Sequence, residues 1–203
     1  MRKVSFGLLC CCMFSPLWAA EIEPKQWLTQ LKTLQADYEQ RLIAPEGHVL
    51  QDSRGQLMLS TVPLGLAIDE QWPIELKIVF DGQILWQYDI ALKQITKYRK
   101  DRITDAPLLK LFDHPRWLYW KSRTYDACLE STACFQLTPP SSSTQFKHLI
   151  AGFKSGNLSE LHIILPTGEQ NIYLFQKTRY NTVIPTPVFQ FHPPKGVDVL
   201  EEF

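Results

Sequence analysis

"FDGQILWQYDIALKQIT", residues 80–96, decides how the rest of the chain is read. Asp81-Gly82 is a tight-turn pair, because glycine accepts the positive φ that a two-residue hairpin imposes. Side chains alternate after the turn, so Ile84, Trp86 and Tyr88 share one face of a strand. A second break near Ala91-Leu92 returns the chain into another strand. Large apolar groups therefore line one sheet face, and that face needs a cover.

The same pattern recurs on both sides. "LQADYEQRL" puts Leu34, Ala36 and Tyr38 together. "EGHVLQDSRGQLMLS" predicts a turn at Asp52–Gly55 and then a strand through Ser60. Leu66 and Ile68 alternate after Pro63. "WLYWKSRTYDAC" and "CFQLTPP" flank a polar loop, residues 138–144 read as surface loop, and further strands bracket Lys154–Asn157 and Thr167-Gly168. "PVFQFHPPKGV" sets Phe189 and Phe191 on one face. Two helices interrupt the strands. One starts at Pro24 and carries Trp27, Leu28, Leu31 and Leu34 at helical spacing. The other has Asp105 as N-cap, Pro107 early, Leu108, Leu109, Leu111 and Phe112 clustered, and Pro115 as its stop.

The expected fold is mainly β with short helices: an antiparallel meander whose curved sheet closes over the helices and leaves room for an apolar cavity. Trp86 and Tyr88 have two readings at this point, cavity lining or ordinary core. Alternation fixes their face and not their partner, and large apolar residues are usually buried for packing.

Composition narrows the functions. The 203 residues are 45% hydrophobic, and 21 Lys and Arg balance 21 Asp and Glu. No basic stripe argues for nucleic acid. Arg2 and Lys3, the uncharged run through Trp18, and Ala19-Ala20 read as a secretory signal peptide over residues 1–20, with a retained anchor as the rival. Residues 21–203 then form one domain, in an oxidising compartment. Cys128 and Cys134 face each other across "LEST", within reach of a disulfide. Metal binding is the alternative, but it needs more ligands, and His48, His114, His148, His162 and His192 are scattered.

Catalytic patterns are missing. There is no Gly-x-Ser-x-Gly elbow and no phosphate-cradling glycine loop. Lys154-Ser155-Gly156 reads as a hairpin turn. Asp69-Glu70 and Glu201-Glu202 are expected to be solvated charges. No enzyme activity, cofactor or metal is expected, with a secreted hydrolase as the competing class.

Residues 80–96 resemble the signature of the LolA family, periplasmic carriers of outer-membrane lipoproteins, in which Asp-Gly and Leu-Trp-x-Tyr precede a polar strand. "LQADYEQ", "TDAPLLKLF", "FKHLIAGFKSGNLSELHIILPTGEQNIYLF" and "FQFHPPKGVDV" are similar to further family segments, in the family's order. The resemblance implies an incomplete antiparallel β-barrel covered by a helical lid, with an apolar cavity for lipoprotein acyl chains. It implies a monomeric periplasmic chaperone that is loaded by the inner-membrane LolCDE transporter and delivers to LolB or another outer-membrane acceptor. The implied cavity and lid residues are Leu31, Leu34, Tyr38, Leu59, Leu66, Ile68, Trp86, Tyr88, Leu108, Leu109 and Phe112. One departure stands out. Thr61-Val62 occupies the place of a family Arg that latches sheet to lid, which implies slower release of cargo unless Arg54 or another cation takes its role. A lipid-binding or sensory module without transfer is the alternative.

Overall fold

The computed structural model describes residues 23–103, 106–113, 117–140 and 145–202. The expected signal peptide, the Asp105 cap, His114, the Pro115 stop and most of the 138–144 loop lie outside them. Helix α1 (Pro24–Gln30) opens the described chain, with the Glu23 carboxylate accepting from the Lys25 N–H. Six strands follow: β1 (Thr33–Ile43), β2 (Val49–Thr61), β3 (Leu64–Trp72), β4 (Leu76–Phe80), β5 (Ile84–Asp89) and β6 (Gln94–Arg99). Helix α2 (Pro107–Asp113) interrupts them. Then come β7 (Lys121–Thr124), β8 (Ala133–Thr138), β9 (His148–Lys154), β10 (Asn157–Ile164), β11 (Gln170–Tyr180) and β12 (Asp198–Glu202).

All twelve strands form one open sheet in the order β12-β6-β5-β4-β3-β2-β1-β11-β10-β9-β8-β7. Each neighbouring pair is antiparallel except β12 with β6, which is parallel and departs from the purely antiparallel expectation. The order explains where α2 must go. β6 lies beside one edge of the sheet and β7 forms the other. The chain between them has to cross the sheet, and it crosses the apolar face. There Leu108, Leu109, Leu111 and Phe112 join the cluster formed by Leu34, Leu57, Leu59, Leu66 and Phe80.

Three local readings change. The first turn lies at Pro45–Gly47, and β2 runs unbroken through Asp52–Gly55. Gly55 is a strand residue whose missing side chain matters, since a methyl group there would meet the Asp69 carbonyl oxygen at 2.1 Å. α1 ends at Gln30, so Leu34 belongs to β1 and not to the helical stripe. "PVFQFHPPKGV" is not a strand. It is a strap across the outer face, begun where Asn181 Oδ1 accepts from the Lys32 N–H at 2.7 Å. The strap lays Phe189 on Gly65 and Phe191 on Trp86 and Tyr88.

Cys128 and Cys134 are joined in a disulfide with Cα atoms 6.1 Å apart. The loop between them is seated on the outer face by Glu160, whose carboxylate is fully buried. It accepts from the N–H groups of Leu129 and Glu130 and from the Ser131 hydroxyl. His162 Nε2 lies 2.5 Å away. Burial pushes the Glu160 carboxyl up, but the backbone N–H groups and His162 together hold it below its usual value. Burial also keeps His162 below its usual value, against the opposing pull of Glu160. Both groups thus carry fewer protons folded than unfolded, so acid removes stability first near pH 6.5 and again near pH 4.5. Glu160→Gln should lose about 1.5–3 kcal/mol at pH 7, the range of bonds to a charged group. The gap from wild type should close as pH falls through the carboxylate range, as measured by urea unfolding; a gap independent of pH would contradict this account.

Candidate functional site

Alternation along four adjacent strands assembles the apolar face. Leu34 pairs with Leu59, Leu59 with Leu66, and Leu66 with Phe80. Because paired residues share a face, these side chains form a row across the sheet. Leu57, Ile68 and Ile78 form the next row. α1 adds Leu28 at one end of this face, with Leu31 just beyond its last turn. Trp27 packs edge-on against Phe153 and Tyr180 at 5.4 and 5.0 Å. The structure thereby brings Leu31, Leu34, Tyr38, Leu59, Leu66, Leu108, Leu109 and Phe112 into one buried cluster, with Ile68 packed against it.

Trp86 and Tyr88 are not in that group. The inward residue of their strand is Leu85. Trp86 and Tyr88 point to the opposite face, where Phe191 stacks on Trp86 at 5.5 Å and tilts against Tyr88 at 6.1 Å. Lys97 Nζ lies 5.6 Å from the Trp86 ring. The cover that this aromatic face requires is the strap, not a helix.

Thr61 has a structural task. Its hydroxyl donates to the Leu31 carbonyl at 2.8 Å and tethers the end of β2 to the end of α1. Val62 beside it is 83% exposed. Arg54 is turned to the outer face, 5.8 Å from the Trp72 ring, and does not reach α2. A cation does hold the far end of α2: Lys100 Nζ is 2.5 Å from Asp113 Oδ1. A groove of about 640 Å³ opens on the outer face at Glu39, Arg41, Asp52, Arg54, Trp72 and Leu129. Its walls combine the Arg41–Asp52 ion pair, at 2.8 Å, with the apolar side chains of Ile43, Ile172 and Leu174.

One residue in the site overturns its expectation. Glu70 is only 6% exposed and lies on the apolar side. It pairs with Gly55, which in turn pairs with Tyr38. Across the glycine the Tyr38 hydroxyl donates to Glu70 Oε2 at 3.2 Å. Ser53 bonds to the same carboxylate and lies 3.4 Å from Gln40 Oε1. Gln40 continues to Asn171 Oδ1 at 3.0 Å, and Tyr173 stands beside Tyr38 with ring centroids 6.4 Å apart. A polar row therefore borders the apolar field. Leu66, Ile68 and Glu70 occupy alternate positions, so the alternation that turned the first two inward also marks the third.

Burial raises the Glu70 carboxyl above its usual value, and the bonds from Ser53 and Tyr38 only partly offset this. Burial, then the Glu70 charge, raises the Tyr38 phenol as well. A carboxyl raised by folding binds more protons folded than unfolded, so its contribution to stability falls as pH rises above 4.5. Glu70→Gln stays neutral and keeps an acceptor for Tyr38. Relative to wild type it should gain stability between pH 4 and pH 8, as read by thermal or urea unfolding. A variant equally displaced at every pH would contradict the assignment.

Among the described residues, no group of three or more His, Cys, Asp or Glu is placed to hold a metal ion, and no helix is long and apolar enough to cross a membrane. The family model described as "Outer membrane lipoprotein carrier protein LolA" matches residues 29–192. The outer-membrane lipoprotein carrier protein of Histophilus somni (strain 2336) is 28% identical over 185 residues, covering 89% of this chain and 87% of the relative. That of Pseudomonas fluorescens is 29% identical over 194 residues, covering 91% and 92%. A solved structure of an uncharacterized conserved protein from Thermus thermophilus superposes with a TM-score of 0.52 at 10% identity, covering 88% of this chain and 95% of that one, and shows a shared fold. The matched region runs from the last turn of α1 into the strap and takes in β1 through β11, and the chain belongs to the LolA family.

Proposed function

We propose that the protein is a periplasmic, non-catalytic carrier that receives lipoproteins from the LolCDE transporter and passes them to LolB or another outer-membrane acceptor. The observation that carries the reading is α2. This seven-residue helix contributes four buried side chains to the face of a sheet over which, among the described residues, no second sheet packs. Removal of a large apolar side chain from its buried site costs about 1.5–3 kcal/mol. Displacing α2 therefore exposes on the order of 6–12 kcal/mol of apolar surface. An acyl chain gains about 0.8 kcal/mol per methylene buried, so roughly ten to fifteen methylenes, one fatty chain, supply a sum of the same size. Cargo and helix are thus interchangeable covers, which is what a reversible carrier needs.

In this reading Leu108, Leu109 and Phe112 form a lid over Leu31, Leu34, Tyr38, Leu59, Leu66 and Ile68. The Lys100–Asp113 pair restrains it in place of the absent Arg. Trp86 and Tyr88 serve the strap. The carrier works as a monomer after removal of residues 1–20. The belonging of the chain to a family of lipoprotein carriers supports this reading.

A photo-crosslinking residue at Leu109 should label lipoprotein acyl chains in periplasmic extracts, and mass spectrometry of protein purified from the periplasm should find lipoprotein bound. Hydrogen exchange in α2 should rise on loading, and rise further in Lys100→Ala. Recovery of phospholipid or fatty acid alone would support a lipid-binding module without transfer. An α2 equally protected with and without cargo would make it fixed core.

A further inference from the structure

The apolar face is bounded at both ends. At one end lies α1, and it is tied down from two sides. The Thr61 hydroxyl donates to the Leu31 carbonyl, while the Asn181 side chain accepts from the Lys32 N–H and donates to the Gln30 carbonyl. At the other end the rows change chemistry. Leu34–Leu59–Leu66 and Ala36–Leu57–Ile68 are followed by Tyr38–Gly55–Glu70. At Gly55 the strands approach too closely for a side chain: a methyl group would lie 2.1 Å from the Asp69 carbonyl oxygen and 2.8 Å from the Glu70 Cα. Tyr38 and Glu70 close this row by bonding to each other across the glycine. Behind them Ser53 bonds to Glu70, and Gln40 to Asn171. Tyr38, Ser53, Glu70 and Asn171 are all buried, and two residues before Ser53, Gln51 is exposed. The row is thus the last layer before water. Methylenes can replace apolar side chains without breaking a directional bond. To pass this row they must part a hydroxyl from a carboxylate and leave both buried, which costs more than the first methylene or two beyond it return.

We propose that the bonded Tyr38–Glu70 row is an end stop of the cargo face and sets the length of acyl chain that the carrier prefers. The inference rests on the carrier reading and adds a length specificity to it. The chain lies along the strands in place of α2, between α1 and the row. From Leu34 to Tyr38 the field measures about 13 Å along β1, at roughly 3.3 Å per residue, and Leu28 and Leu31 extend it at the α1 end. A shorter chain leaves part of the field uncovered. A longer one finds no apolar surface for its surplus methylenes.

The test uses the mature chain and a series of N-acetylated peptides, each alkylated on a cysteine sulfur with one saturated chain of increasing length. Their affinities are read by displacement of a fluorescent fatty acid, below the concentration at which the peptides self-associate. For wild type, each added methylene should tighten binding about fourfold up to a break, beyond which further methylenes return nothing. Two variants move the polar border in opposite directions. Tyr38→Phe combined with Glu70→Leu makes the row apolar at similar volume and should shift the break to longer chains. Ile68→Gln, at a partly buried position one row nearer α1, should shift it to shorter chains, and it decides the matter if the double variant does not fold. A wild-type series without a break, or a break that stays at the same length in either folded variant, overturns the stop and leaves the carrier reading standing. Failure of wild type to bind any member of the series overturns both.

Discussion

The structure depends on covering one face of a single open sheet. A sandwich solves that problem with a second sheet, and a closed barrel solves it by filling its own interior. Here the strand order leaves two unjoined edges, and the apolar face is covered by α1, by α2 and by the chain that links the two edges. The helices are too short to be stable alone. They persist because nearly all of their apolar side chains are buried against strands. Their secondary structure is thus a product of the packing they provide, and any competing apolar cover acts on both at once.

The two faces of the sheet have different chemistry. On the inner face, contacts are apolar and non-directional, apart from the Tyr38–Ser53–Glu70 row. On the outer face the contacts are specific: the strap stacks Phe191 on Trp86, Glu160 collects the N–H groups of the cysteine loop, and Arg41 pairs with Asp52. Directional bonds hold geometry, whereas apolar contacts tolerate exchange of partners. The rigid side is therefore the one away from the helices. Glu70 is the exception, a polar group retained where it works against stability.

Much of this is legible in the sequence, for identifiable reasons. The Asp81-Gly82 turn and the alternation of Leu34, Ala36 and Tyr38 are local signals, and they locate β1, β4 and β5. Pro107 and the leucines after it locate α2. The rest depends on information that is not local. Trp86 and Tyr88 share a face, as alternation requires, but their cover, Phe191, lies far along the chain in the strap. Asp52–Gly55 has turn composition, yet Gly55 is there because Asp69 and Glu70 of the next strand come close to it. Charge alone marks Glu70 as solvated, although its place two residues after Ile68 turns it inward. Alternation outranks residue type inside a strand, and at this position it points to the site.

The position of α2 in the chain order also constrains how the molecule is made. β2 through β5 pair only with neighbours in sequence, as do β8 through β10, so each set belongs to a meander that can assemble from local contacts. The seam between the meanders is β1 with β11, where Leu42 meets Asn171 and Leu34 meets Tyr180. Closing that seam carries the entropic cost of a very long loop, and such non-local pairings slow folding. During synthesis β1 emerges first and waits with one side unpaired until β11 appears. α2, emerging between the two meanders, meets only part of its eventual surface. The segment that docks late in assembly is thus the one with the least to hold it before the sheet is complete, and a nascent chain offers its apolar stripe to any chaperone that reaches it first.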